Sequence, residues 1–223
     1  MITYDAIAPE LQTGDILCWE GRGFVSRGIQ LGQRLRGFQH WNISHVGIVV
    51  RPDAELWPFA NRHAELPSPT TAHEPLLTYE STTLNTVADI ITGQTVKGVS
   101  LVSLRDKLER HSGKLYVIRI SGRPEHFAFR ATGYMRAHHG RAYEQKPWQL
   151  LGSAMGLSRG LWGEDQSSLF CSELVTDLLE HTGALDEDGQ DSDAMCPAEV
   201  CEIGGRFPLL GGMTVEPMRE VVL

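Results

Sequence analysis

A chain of 223 residues with 41% hydrophobic content is within reach of one hydrophobic core, so residues 1–223 are read as a single domain. Its net charge of -8 excludes general nucleic-acid binding, because no dense Lys/Arg stripe is available to neutralise phosphates. Four cysteines, Cys18, Cys171, Cys196 and Cys201, are too sparse for a disulfide-framed secreted module and are read as free thiols.

The opening MITYDAIAPELQTGD lacks a charged start followed by an apolar core, and no later stretch has the length of a membrane span. The expectation is a cytoplasmic protein without a transmembrane segment, unless a phage lysis system or a dedicated secretion machine moves it. DILCWE, after Gly14, reads as a short buried strand. GFVSRGIQLGQRLRG predicts a helix interrupted by glycines, with Val25, Ile29 and Leu35 among polar residues. Its Arg22, Arg27, Arg34 and Arg36 form the most basic local patch, either a solvated helix face or a site for an anionic substrate or lipid headgroup.

SHVGIVVR has the pattern of a strand buried on both faces, Val46, Ile48 and Val50 on one side and His45, Gly47 and Val49 on the other. His45 opens that strand, where its ring can reach a cleft; a lone histidine at a strand start is more often structural than catalytic. From Arg51 to Pro75 five prolines break the pattern, and the stretch reads as an irregular insertion bordering the substrate entrance. PLLTYESTT resumes as a strand with Thr78, Glu80 and Thr82 on one face. Glu80 is either a solvent-facing strand residue or a carboxylate held inside.

GVSLVSLRDKLERHSG predicts a strand and then a helix capped by Ser103 and stopped by Gly113. KLYVIRI predicts one strand ending at Ile120. RPEHFAFRATGYMRAHHG predicts a helix with Pro124 in its first turn and Phe127, Ala131, Tyr134 and His138 on one face. A glycine-rich connection then leads to FCSELVTDLLEHTG, where Leu174, Val175, Leu178 and Leu179 recur at helical spacing, Ser167 or Ser168 can cap the start and Gly183 can end it. Cys171 falls in the first turn, where the positive end of the helix favours a thiolate. Read by itself it is also compatible with a small buried hydrophobe. DEDGQDSD reads as a solvated acidic turn, and CPAEVC lacks the CxxC or HxxxH partners of a metal site, so neither metal nor cofactor is expected.

Together, GDIL followed by SHVGIVV, YES about 35 residues later, GVSLVSL with KLYVIRI, and FCSELV followed by CPAEV resemble the permuted NlpC/P60 superfamily, and within it the permuted papain-like amidases of the YiiX/YaeF type. The resemblance covers roughly residues 11 to 203. In that permuted order the cysteine helix follows the histidine strand, as here. It implies an α+β papain-like fold, a small antiparallel β-sheet or barrel packed against helices. It also implies a cysteine hydrolase, an amidase or peptidase cleaving an amide bond in a peptide or cell-wall-like fragment. Cys171 would be the nucleophile, His45 the base and Glu80 the group orienting the ring, with Tyr143 in GRAYEQ a further donor near the site. The substrate would be a peptide, amide or acyl-lipid molecule. The alternatives are an acyltransferase or thioesterase of the lecithin retinol acyltransferase-like type and a non-catalytic binding domain of the same fold. The proline-rich insertion is a departure from the family pattern.

Overall fold

The computed structural model describes residues 1–52, 56, 76–83, 86–142, 170–186 and 195–223. Most of the 51–75 insertion, the acidic turn from Glu187 to Ala194, and Tyr143 with the connection that follows it lie outside the described residues.

Alternating and doubly apolar runs supply the strands of a seven-stranded sheet. In spatial order these are β1 (Ile2–Thr3), β9 (Arg219–Val222), β6 (Lys114–Ile118), β2 (Ile16–Glu20), β3 (His45–Val50), β4 (Leu77–Thr82) and β5 (Gly98–Ser103). Only β1 and β9 pair in parallel; every other neighbouring pair is antiparallel. β7 (Ile120–Ser121) and β8 (Thr214–Val215) form a separate two-stranded ribbon. KLYVIRI is therefore two strands and not one: it breaks at Arg119, whose side chain is drawn to Glu10 and Glu216.

The helices are α1 (Tyr4–Ile7), α2 (Phe24–Leu35), α3 (Leu104–Arg110), α4 (Phe127–His138), α5 (Cys171–His181) and α6 (Pro197–Val200). The chain is thus α+β with a mostly antiparallel sheet. No helix among the described residues is long and apolar enough to cross a membrane.

Strand periodicity divides the core. Ile16, Cys18, Val46, Ile48 and Tyr79 face one cluster, completed by Leu174, Val175, Leu178 and Leu179 of α5 and by Phe127 and Ala131 of α4. Leu17, Trp19 and Val49 face the other, with Leu104 and Leu108 of α3 and Tyr4 and Ile7 of α1. The two central strands are consequently buried on both sides, which a continuous apolar run such as GIVV requires.

Helix ends differ in detail from the sequence expectation. Ser103 caps α3 by accepting from the Asp106 N–H at 3.3 Å, but α3 ends at Arg110, before Gly113. Pro124 lies ahead of α4, in the turn whose carbonyl accepts from the Phe127 N–H at 2.9 Å. The residue preceding α5 is Phe170, not a serine: the Glu173 carboxylate reaches back to accept from the Phe170 N–H at 3.0 Å. At the other end, Gly183 (φ 78°) allows the Ala184 N–H to reach Leu179 O at 2.7 Å and its own N–H to reach Glu180 O at 2.8 Å. This Schellman closure stops α5 as the sequence predicts.

Candidate active site

Three separately built elements converge at one end of the sheet. His45 is the first residue of β3, Glu80 lies within β4, and Cys171 is the first residue of α5, which packs across both strands. Helix geometry leaves the first-turn N–H groups of α5 without an acceptor inside the helix, so donors are gathered at the position of the Cys171 thiol.

His45 Nε2 donates to Glu80 Oε2 at 2.7 Å, and Cys171 lines the same pocket close enough to the ring to act on its charge. With Nε2 committed to Glu80, Nδ1 is the nitrogen left for sulfur. His45 and Glu80 do not stand directly opposite each other on their strands. The pairs Ile48 with Tyr79 and Val49 with Thr78 carry on to set Gly47, not His45, against Glu80. Glu80 meets His45 on the diagonal, a separation of roughly 7–8 Å that a glutamate can span. Gly47 keeps the diagonal open: a Cβ there would lie 3.0 Å from Thr78 Oγ1, 3.2 Å from Tyr79 O and 3.3 Å from Glu80 Cβ.

Glu80 is completely buried, so the reading of it as a solvent-facing strand residue does not hold. Such a carboxylate requires compensation. It comes from Lys107 of α3, whose ammonium donates to Glu80 Oε1 while His45 occupies Oε2. Burial pushes the Glu80 carboxyl up, but the Lys107 charge and the hydrogen bonds from His45 and Lys107 outweigh it and bring the pKa down to about 2. For His45, burial pulls downward, while the charge and hydrogen bond of Cys171, then those of Glu80, carry the imidazole from 6.5 to about 9. The result is a line of alternating charge from Lys107 through Glu80 to His45, which ends beside the Cys171 sulfur. Such a line favours imidazolium beside the sulfur.

Lys107 did not emerge from sequence reasoning, although a signal was present. Leu104, Lys107, Leu108 and His111 recur at helical spacing on one face, and the lysine sits among residues that face the core. His111 shares the site: its ring stacks edge-on against Trp19 at 4.8 Å and contacts Glu20 O at 3.1 Å.

A pocket of about 320 Å³ opens beside this line, and Cys171, His45, Lys107 and His111 all line it. Arg22 and Arg110 line it, together with Ser26, Ser44, Thr82 and Thr86; its described lining contains no carboxylate. Val25 and Ile29 of α2 form one side. A second pocket of the same volume, between Gln12, Arg51 and Arg123, has no cysteine or histidine in its described lining.

The other three cysteines are placed differently. Burial pushes the Cys196 thiol up to about 12. Cys201 is raised by its hydrogen bond with Cys18, whose sulfur is 3.4 Å away, and by burial. All four are free thiols, but of these only Cys171 lines the pocket with a histidine beside it. Tyr143, the remaining candidate, lies outside the described residues, as does most of the insertion expected to border the entrance. No protein-family model matches the chain, and no curated protein matches it.

Proposed function

We propose that the chain is a cysteine hydrolase of the permuted papain-like, NlpC/P60-like type, an amidase or peptidase acting through Cys171, His45 and Glu80. The observation that carries the reading is the hydrogen-bonded line from Lys107 through Glu80 to His45, with His45 and Cys171 lining one open pocket. Supporting it are the chain order of histidine strand, glutamate strand and cysteine helix, and the packing of that helix on a mostly antiparallel sheet.

In this mechanism the Cys171 thiolate attacks the substrate carbonyl, and the first-turn N–H groups of α5 stabilise the oxyanion. The C–N bond breaks as the His45 imidazolium passes its proton to the leaving amine. A thioester remains on Cys171. Neutral His45 then takes a proton from water, which attacks the thioester, and the sulfur departs as thiolate with His45 again protonated. Glu80 holds the ring and favours its charged form throughout.

A second reading is favoured by the basic pocket lining without carboxylates: acyl transfer or thioester hydrolysis on a lipid acyl group with an anionic head. Both readings share the acyl-enzyme. Intact-mass spectrometry after incubation with peptidyl, acyl-lipid and acyl-thioester libraries distinguishes them by the class that leaves an adduct on Cys171. Absence of any adduct, with Cys171→Ala behaving like the wild type, would overturn both and favour a binding domain.

A further inference from the structure

The α2 helix is built with its polarity reversed. Its inward side is held by amides: Gln33, fully buried, donates to Trp41 O at 2.9 Å and Ile43 O at 2.6 Å and accepts from the Ala198 N–H at 2.9 Å. Gln30 donates to Gly21 O at 3.0 Å and Asn42 O at 2.8 Å. Its outward side is apolar. Phe24, Leu31 and Leu35, spaced seven and four apart and so aligned along one face, are 93%, 59% and 77% exposed. Trp41 is also partly exposed, with the Arg34 guanidinium of the same helix 5.1 Å from its ring. A helix meeting only water would carry these residues the other way round.

Charge identifies what the face meets. The chain has net charge -8, yet the 32 residues from Gly21 to Pro52 contain five arginines and no Asp or Glu. Arg36 is paired with Glu199, and Arg51 donates to the carbonyls of Ala8 and Leu11. Arg22, Arg27 and Arg34 are exposed in or just ahead of α2. Aromatic and leucine side chains on one line, with arginines at the flank, are the pattern of a helix that lies in a lipid–water interface. A second copy of the chain is a poor occupant, since it would bring two such arginine sets together.

We propose that α2 docks on an anionic lipid surface, with Phe24, Leu31 and Leu35 in the acyl boundary and Arg22, Arg27 and Arg34 at the headgroups. The rest of the acidic molecule is repelled by that surface, which orients the protein with α2 down. Because Val25 and Ile29 of the same helix line the pocket above Cys171, docking sets the pocket mouth at headgroup depth. The proposal does not depend on which bond Cys171 attacks, or on whether it attacks one.

The experiment is flotation of the full chain with vesicles of phosphatidylcholine alone and of phosphatidylcholine with phosphatidylserine, using Cys171→Ala in parallel. Both proteins are expected to float with the anionic vesicles, and less so as salt is raised. Phe24→Glu and Leu35→Glu, at positions outside the core, are expected to lower partition at least ten-fold with unchanged melting temperature. Arg27→Gln and Arg34→Gln are each expected to lower it about five-fold. Wild-type protein left unfloated by the anionic vesicles overturns the proposal. So does equal flotation with both vesicle types. Concentration-dependent dimerisation abolished by Leu35→Glu, without vesicle binding, would assign the face to self-association, and binding of a soluble protein without flotation would assign it to a protein partner.

Discussion

Replacing Glu80 by Gln tests the charge line most directly, because a carboxylate at that position has two donor-only neighbours. Lys107 offers N–H donors to Oε1, and protonated His45 offers Nε2–H to Oε2. An amide has one acceptor oxygen and one donor nitrogen. If the oxygen faces Lys107, the NH₂ group faces His45 Nε2 and the ring must lose its proton; if it faces His45, two donors oppose each other at Lys107. In either case a buried ammonium loses its counter-charge. Breaking a buried pair in this way costs about 3–5 kcal/mol, a large part of a total stability of about 5–15 kcal/mol. For a chain of this length the melting temperature should fall by about 10 °C. Shape conservation alone, the argument available from sequence, would have left the variant as stable as the parent.

The second variant separates stability from chemistry. Glu80→Gln combined with Lys107→Met removes both charges, and a neutral pair of similar volume is expected to melt within a few degrees of the parent. It should still form the Cys171 adduct at least 100-fold more slowly, because His45 has lost the partner that orients and charges it. Thermal melts followed by circular dichroism, with adduct formation followed by intact mass, give both numbers. A single variant that melts with the parent would refute the buried ion pair; a double variant that recovers stability and rate together would reduce Glu80 to a structural role.

Iodoacetamide near neutral pH is expected to label Cys171 first, with Cys18, Cys196 and Cys201 at least ten-fold slower; peptide mapping that finds Cys196 labelled as fast would contradict the burial argument. Gly47→Ala is expected to cost about 1–3 kcal/mol and to slow adduct formation, because its Cβ would press on Thr78, Tyr79 O and Glu80; unchanged melting and rate would show that the diagonal does not need the glycine. Histidine proton resonances followed by NMR should show His45 titrating near 9, and in Cys171→Ser its pKa should drop, since Cys171 is the largest influence raising it. A His45 resonance already neutral at pH 7.5 in the parent would remove the ion pair from the mechanism.

The strands and helices bearing the site were legible in the sequence because their signals are local. GIVV is apolar on both faces and is buried on both; Ser103 and Gly183 are placed as their cap and stop chemistry demands. What was not legible depends on pairing between distant segments. Register decided that Glu80 faces Gly47 and reaches His45 diagonally, and no pattern within β3 or β4 carries that offset. Lys107 needed the same knowledge: a lysine among the apolar positions of a short helix is ambiguous until the helix is seen lying against a buried carboxylate. The outward apolar face of α2 was missed for a different reason. Periodicity identifies a helix with Val25, Ile29 and Leu35 on it but assigns no inside or outside, and here only Ile29 of the three is buried.

The pH dependence of stability follows from His45 and Glu80. A folded-state pKa raised from 6.5 to about 9 means that the native state holds the His45 proton more tightly than the unfolded chain does. That stabilisation is fully present below pH 6.5 and is lost as pH rises through about 9, an effect of about 3 kcal/mol. Glu80 works in the opposite direction: its carboxyl, lowered from 4.5 to about 2, contributes stability above pH 4.5 that is lost as pH falls through about 2. The two windows leave a plateau between roughly pH 4.5 and 6.5 with respect to these groups. Unfolding by urea at pH 6 and at pH 9.5 should therefore give a lower midpoint at the higher pH, with an unchanged slope. In Cys171→Ser the difference should shrink, because the sulfur's contribution to holding the proton is gone. If parent and variant lose the same stability between the two pH values, the alkaline loss arises elsewhere in the protein and the imidazolium beside Cys171 is not part of what holds the site together.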